Sequence, residues 1–375
     1  MMSQSGCECV SCDARLRGRL LSVGQTLTAG FGFKAKGLSG SLTIALLLNA
    51  TLVFNPSSFY KRAPAYNLSG HWQRDDELLG LANALPTEDL LKACPNSCYD
   101  TIILTSSSRP NSGLSTWWQQ HGANMTGVVS RLRTGRRHLM VLKPPNGSIM
   151  YHGHTMPFVA GYAFTEDFFR NAWLRGSIAR RDVWPLFRPG YLNVALHVRN
   201  GDRLPGRSYE RAMLANLPDL WYEAAISSIE RALLSKTPRE NIQMHVVAFG
   251  SGVGKGLKFL PNASGEPSEL PNFLKQSRGV ASHKISLDGD FRVDLSHMAR
   301  ADVLVAAASS FSLLAMALTR SIVIGPHEPD AAGSLIDRTR AQRCYCWNAR
   351  QTTTGSASQL ERCVISAMAS CAGHA

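Results

Sequence analysis

The stretch YLNVALHVRNGDR, Tyr191–Arg203, begins as an apolar run and ends in charged and polar groups. Parallel strands buried on both faces read as near-continuous apolar runs, and open α/β sheets bind their ligands beyond the carboxyl ends of those strands. The stretch therefore predicts a buried parallel strand, with His197, Arg199 and Asp202 marking a candidate site where it ends.

Downstream, the same pattern repeats. The helical stretch LPDLWYEAAISSIERALLSK is followed by the strand IQMHVVAFGS and a Pro/Gly/Ser-rich loop over 251–271. Helix VDLSHMAR, strand DVLVAAA, helix SSFSLLAMALT and strand SIVIGP come next. Strands that alternate with helices predict a parallel sheet wound on both sides. Upstream, TAGFGFKAKGLSG reads as a Gly-rich turn, SLTIALLLNA as a buried helix and TLVFNPSS as a strand ended by Asn-Pro, the opening of a second nucleotide-type fold. Further helices are expected around Asp75–Leu85 and Glu166–Arg180, and a strand at YDTIILTSSS. The fold class is thus α/β, two Rossmann-type doubly wound domains with the site in the cleft between them. Residues 1–28 are set aside as a disordered N-terminal segment. The domains are placed at 29–189 and 190–330, and 331–375 is taken as a Cys-containing tail.

The chain has 375 residues and 44% apolar content, enough for two cores of ordinary size. Its formal net charge of +13 points to an anionic ligand or partner. Basic residues are scattered, with short clusters such as Arg131, Arg133, Arg136 and Arg137. No aromatic-interleaved basic stripe is present, which argues against nucleic acid as the partner.

Nine cysteines fall into three groups: Cys7, Cys9 and Cys12; Cys94 and Cys98; and Cys344, Cys346, Cys363 and Cys371. None has convincing zinc spacing, and the last four suggest a disulfide-stapled tail. Asn-x-Ser/Thr sequons at Asn49, Asn67, Asn124, Asn146 and Asn262 are compatible with a secretory compartment, Golgi or ER lumen. Residues 1–28 hold no continuous apolar core of the kind a signal peptide carries. The run LSGSLTIALLLNATLVF, Leu38–Phe54, is short against the ~20 apolar residues of a membrane span and is interrupted by Asn49 and Thr51. It reads as a helix leading into a strand, with membrane association left open.

Three chemical signatures fail on inspection. FGSGVGKGLK follows a strand like a phosphate loop, but a Walker pattern needs Gly where Phe249 stands and Ser or Thr where Gly256 stands. Neither glycine cluster completes a dinucleotide fingerprint, since Lys255 and Ala35 occupy the third glycine position. The acidic Asp288–Asp290 triplet DGD reads as a turn rather than a metal site, so no metal is assigned.

What survives is HVRNGD together with Val293–Leu318. Arg199 can offer a bidentate fork to a diphosphate, and His197 can hydrogen-bond a sugar or base. Ser309 and Ser310, at a strand-to-helix junction, supply hydroxyls and helix-start N–H groups fit for phosphate, although Ser309 alone reads equally well as an N-cap. Together these residues resemble the nucleotide-binding half of the GDP-fucose-dependent fucosyltransferase superfamily (α1,2, α1,6 and protein O-fucosyltransferases). Its motifs are a His-x-Arg strand end, a later Asp, an Ala-Asp strand and a Ser-Ser turn. Here the second block is Asp294, Ala301-Asp302 and Ser309-Ser310-Phe311. GFGFK followed by helix and ATLVF resembles the family's N-terminal opening. The likeness covers 191–325 and 29–58. Asn200 stands where many members have a second Arg, Lys34 where an amide is common, and Arg207 where the α1,6 branch has its catalytic Glu.

The resemblance implies a GT-B-like, metal-independent inverting glycosyltransferase. Its donor would be GDP-fucose, its acceptor a hydroxyl of a glycan or protein, the 29–189 domain lying on the acceptor side and 190–330 holding the nucleotide sugar. Arg199 would neutralise the departing diphosphate, Asp202 orient Arg199, and Glu210 act as base. Asp294 would read guanine, while Gly30, Gly32 and Lys34 assist from the other domain. The alternatives are a non-catalytic relative that binds a nucleotide sugar and a basic phosphate- or nucleic-acid-binding protein.

Overall fold

The computed structural model describes residues 16, 18–23, 31–55, 79–94, 99–105, 124–132, 138–143, 165–176, 185–198, 219–236, 243–250, 280–287, 291–307, 309–326, 343–346, 361–362 and 364–366. The chain divides into two compact units, Met1–Arg180 and Arg181–Ala375.

In the first unit, strands β1 (Arg19–Val23), β2 (Thr51–Leu52), β3 (Asp100–Thr105) and β4 (His138–Lys143) form a sheet of order β2-β1-β4-β3. Every pairing is parallel. β1 lies inside this sheet although it falls within the 1–28 segment set aside as disordered. Its RLLSV sequence buries Leu20, Leu21 and Val23, and so few residues give little periodicity to read.

From Phe31 onward the Gly-rich stretch expected as a turn is helical. A helix runs from Phe31 to Leu47 and includes Gly32, Gly37 and Gly40. Glycine costs a helix roughly 1 kcal/mol relative to alanine, but tertiary packing overrides propensity, and Ala35, Leu38, Leu42, Ile44 and Ala45 are all buried. Its buried hydroxyls are satisfied at close range. Ser41 and Thr43 donate to the carbonyls of Gly37 and Ser39 at 3.2 and 2.9 Å, and the Ser39 and Thr165 hydroxyls meet at 2.6 Å. At the C-terminus Asn49 takes φ 48°, with Ala50 N–H bonded to Ala45 O and Asn49 N–H to Leu46 O. That pair of bonds is a Schellman ending, in which Asn tolerates the left-handed residue. Among the described residues no helix is long and apolar enough to cross a membrane.

The helix Glu166–Arg175 buries Phe169 and Trp173, and its Glu166 and Arg170 form a buried ion pair. Gly80 (φ 61°) lies against it so closely that a Cβ would stand 2.3 Å from the Ala172 carbonyl oxygen. The short helix Leu81–Ala84 follows directly, occupying part of the expected 75–85 helix.

The second unit carries β5 (Leu192–Val198), β6 (Met244–Gly250), β7 (Val280–Leu287), β8 (Val303–Val305), β9 (Ile322–Pro326) and β10 (Arg343–Cys346). The order is β10-β9-β8-β5-β6-β7, again parallel throughout. Counted from β5, this is the 3-2-1-4-5-6 order of dinucleotide-binding folds, read from the β7 edge.

Alternation sorts β5 between two faces. Val194, Leu196 and Val198 join Tyr222, Ile226 and Ile229 of helix Asp219–Lys236 in one core. Ala195 and His197 face the opposite way, toward helices Phe291–Arg300 and Ser310–Leu318. The unit extends past both predicted ends. At its start, 185–189 is bonded to β5, β6, β7 and the Phe291–Arg300 helix. At its end, β10 pairs with β9, Val364 sits in the core and Glu361 bridges to Arg231 at 3.0 Å. The 331–375 segment is thus not merely a tail: β10 completes the sheet that it would otherwise leave one strand short.

Candidate functional site

The strand order reverses between β5 and β8: from β5 the chain proceeds outward through β6 and β7, then returns to β5's other side. Such a switch point opens a crevice beyond the strands' carboxyl ends, where ligands of open α/β sheets bind. His197 is the penultimate residue of β5, and Ser309 and Phe311 follow β8. They flank the switch point from its two sides.

These residues are joined. His197, 8% exposed, is hydrogen-bonded through Nδ1 to Ser312 Oγ, and its ring meets the Phe311 ring edge-on at 5.7 Å. Ser312 Oγ also accepts the Ala307 N–H at 3.0 Å. Ser309 caps the helix: its Oγ accepts the Phe311 N–H at 3.1 Å, with φ −145° and ψ 139°. The cap reading of its hydroxyl is therefore the observed one, because an N-cap side chain replaces a bond the first helical turn lacks. Ser310 is the first residue of that helix.

A second cluster lies along the same face. His197 is in register with Phe249 on β6, and Phe249 with Ser286 on β7, so the three side chains form a row across adjacent strands. At the row's far end Ser286 Oγ–H donates to Asp294 Oδ1 at 2.9 Å. Asp294 is 8% exposed and lies within the helix Phe291–Arg300. It is not an N-cap, since the helix is already under way three residues earlier.

Lys34 and Gly32 fall in the first turns of the Phe31–Leu47 helix, which follows the carboxyl end of β1 in the first unit. β1 and its neighbour β4 flank that sheet's own point of reversal. Lys34 is 7% exposed, and burial pushes its pKa down to about 8. Gly30, Arg199, Asp202, Glu210 and the Asp288–Asp290 triplet, expected as a turn, lie outside the described residues. Among the described residues no cluster of His, Cys, Asp and Glu could hold a metal ion.

Asp302 sits at the other end of the sheet. Its Oδ2 accepts the Asn193 N–H at 2.8 Å and joins the amino ends of β5 and β8, while burial raises its pKa against that bond. Two residues of the site escaped the sequence reading, Ser312 and Ser286. Nothing in SFSLLAM or HKISL singles out a serine; only the period-two register of the strands places Ser286 in line with His197.

No family model matches the sequence, and no curated protein matches it significantly. Solved structures that resemble it include glycosyltransferases. POFUT1 in complex with GDP is 13% identical, covering 82% of this chain and 98% of that one, with a TM-score of 0.40. The Escherichia coli heptosyltransferase WaaC with ADP-2-deoxy-2-fluoro heptose is 14% identical over 92% and 99%, TM-score 0.37. A variant of Arabidopsis thaliana FUT1 in complex with GDP is 11% identical over 84% and 71%, TM-score 0.30. The α/β class rests on the two parallel sheets themselves.

Proposed function

We propose that this chain is an inverting glycosyltransferase that takes fucose from GDP-fucose and transfers it to a hydroxyl of a glycan or protein, without a metal ion. The observation that carries the reading is the row His197–Phe249–Ser286 with Asp294 at its end, lying along the carboxyl side of a 3-2-1-4-5-6 sheet. Adjacent strands lie ~4.8 Å apart, so the β5 and β7 ends of the row are ~10 Å apart, comparable to the reach of a nucleotide from base edge to phosphate. A carboxylate at one end suits guanine, whose ring N–H and exocyclic amine are adjacent donors; adenine presents an acceptor at the matching nitrogen.

The remaining roles follow the motif resemblance. As the C1–O bond to GDP breaks, an oxocarbenium-like centre develops and the acceptor oxygen attacks its opposite face. The Arg199 guanidinium neutralises the charge gathering on the diphosphate, an electrostatic contribution that is often the largest in such steps. Asp202 orients Arg199, and Glu210 receives the acceptor's proton. Lys34 and the Gly30–Gly32 backbone add positive potential, and the start of the Ser310–Leu318 helix, where Ser309 N–H and Phe311 N–H already bond Ala307 O and Ser309 Oγ, adds the positive end of its dipole.

We place the protein in the lumen of the secretory pathway. Cys94 is disulfide-bonded, and the sequon residues Asn49 and Asn124 are exposed. Disulfides persist in oxidising compartments.

Thermal shift against GDP, UDP, ADP and CMP, followed by GDP release from GDP-fucose in the presence of candidate acceptors, tests the whole reading. Selective stabilisation by GDP with acceptor-dependent release is expected. GDP binding without turnover would make the chain a non-catalytic relative, and indifference to all four nucleotides would remove the reading.

A further inference from the structure

Ser312 is a fully buried hydroxyl with two partners of unequal kind, the Ala307 N–H and the His197 imidazole. The Ala307 N–H can only donate, so it occupies a lone pair of Ser312 Oγ and leaves the hydroxyl proton available for Nδ1 of His197. A donor chain running N–H to O–H to ring nitrogen is self-reinforcing, because each bond polarises the next. Donation of that proton to Nδ1 puts the neutral ring's proton on Nε2, whereas the opposite tautomer would make Oγ accept twice, from Ala307 and from Nδ1–H. The Phe311 edge at 5.7 Å restricts the ring from another side. Ala307 follows β8, Ser312 lies on the next helix and His197 is next to last in β5, so one hydroxyl couples the two strands that border the switch point.

We propose that Ser312 is a positioning residue of the donor site: anchored on Ala307, it holds His197 in the Nε2–H form, so that the ring meets the nucleotide sugar as a hydrogen-bond donor. The proposal rests on the glycosyltransferase reading for the identity of the ligand, but the state of the His197 ring can be measured without any ligand. An imidazole donor suits an oxygen of phosphate or sugar, both acceptors; the opposite tautomer would present a lone pair to that oxygen.

The test has two arms on the full chain. In the first, histidine is labelled with 15N and the His197 signals, assigned by their loss in His197→Gln, report the tautomer of the ligand-free protein. The Nε2–H form is expected in the wild type, with a tautomer mixture in Ser312→Ala. A wild-type ring protonated on Nδ1, or a signal unmoved by the substitution, overturns the proposal. In the second, GDP affinity is measured for the wild type, Ser312→Ala, His197→Ala and the double variant. Ser312→Ala should weaken GDP about three- to tenfold, the worth of one hydrogen bond, and should cost nothing further once His197 is Ala.

Independent, multiplying losses would mean that Ser312 acts through Ala307 and the backbone, and the proposal would fail. Should Ser312→Ala not fold, Ser312→Cys, somewhat larger but with a weaker hydrogen-bonding group, fills the site and is expected to give the same direction in both arms. If the wild type binds no GDP, the glycosyltransferase reading falls with the donor-site role, while the tautomer arm still decides whether Ser312 fixes His197.

Discussion

Ser286, near the end of β7, donates its hydroxyl proton to Asp294 Oδ1 at 2.9 Å, tying a carboxylate on the following helix back to the strand that precedes it. The bond fixes where the carboxylate sits. Because Asp294 is inside the helix rather than at its cap, its worth is not that of a capping group. Asp294→Asn retains an oxygen to accept from Ser286 but replaces the second acceptor with an amine, which opposes guanine's donors. GDP binding should weaken by roughly 1–3 kcal/mol while the melting temperature of the free protein stays nearly unchanged. Calorimetric titration and a thermal melt on the same preparation read both; unchanged GDP affinity would sink the guanine assignment.

In the proposed function the Arg199 guanidinium meets the diphosphate, to which it can offer a fork of two donors. Arg199→Ala should therefore abolish transfer and weaken GDP far more than guanosine, which has no phosphate to lose. Equal losses for the two ligands would move Arg199 away from the diphosphate.

Transfer is expected to proceed in the presence of a chelator, since the proposed function has Arg199 supply the positive charge and the DGD triplet is read as a turn. Complete loss of activity in chelator, restored by a divalent ion, would overturn that reading.

Lys34 offers a pH test. Burial in the Phe31–Leu47 helix lowers its pKa to about 8 from 10.5, and only the charged form attracts a diphosphate. GDP affinity should fall as pH rises from 7 through 9, at most ~10-fold per unit for one linked proton. Folding stability should move the other way, rising with pH between about 8 and 10.5, because over that window the unfolded chain holds the proton that the folded chain has lost. Lys34→Arg should bind GDP with a flat profile, and a wild-type profile already flat would remove Lys34 from the site.

The second unit was legible because buried parallel strands leave uninterrupted apolar runs: YLNVALHV, DVLVAAA and SIVIGP coincide with β5, β8 and β9. β7 was not. Its sequence VASHKISL alternates polar residues at an edge position, where only one neighbouring strand covers it, so no apolar run develops. β4, HLMVLK, was obscured by the arginine cluster just before it, and β10 by its four-residue length among cysteines. At the site, His197, Asp294 and Ser309 were visible as motif residues. Ser286 and Ser312 were invisible because their roles come from register and from a helix turn, neither of which marks a serine in the sequence. Gly32, Gly37 and Gly40 misled in the opposite sense: they advertise a turn, yet the helix they occupy is held by burial rather than propensity.

Near its start the second unit has a segment clamped by two buried histidines, of which His297 must be neutral to hold it. Leu186 is gripped on both backbone groups: its carbonyl accepts from His245 Nε2–H at 2.8 Å, and its N–H donates to His297 Nε2 at 3.3 Å. His297 Nδ1–H donates to Val293 O at 2.8 Å, so its Nε2 must carry a lone pair, and a second proton there would eject the Leu186 N–H. Around the pair, Lys284 donates to Pro185 O at 3.1 Å and Asn193 holds Arg188, leaving cationic groups nearby and no carboxylate among these contacts. Burial lowers both pKa values below 6.5, with Lys284 adding to it for both and Arg188 for His245, against the opposing pull of their hydrogen bonds.

A histidine depressed in the folded state takes up its proton more readily when unfolded, so its contribution to stability is complete above pH 6.5 and is lost as pH falls below that value toward the folded pKa. Each such group can add up to ~1.4 kcal/mol per pH unit to the slope. Denaturant unfolding at intervals from pH 7.5 to 5 should show stability falling below pH 6.5. His297→Gln, which can still accept from Leu186 but does not titrate, should show a shallower fall. Identical slopes for the two proteins would mean that His297 gains no proton on unfolding, and that the Leu186 clamp does not set the acid limit of this unit.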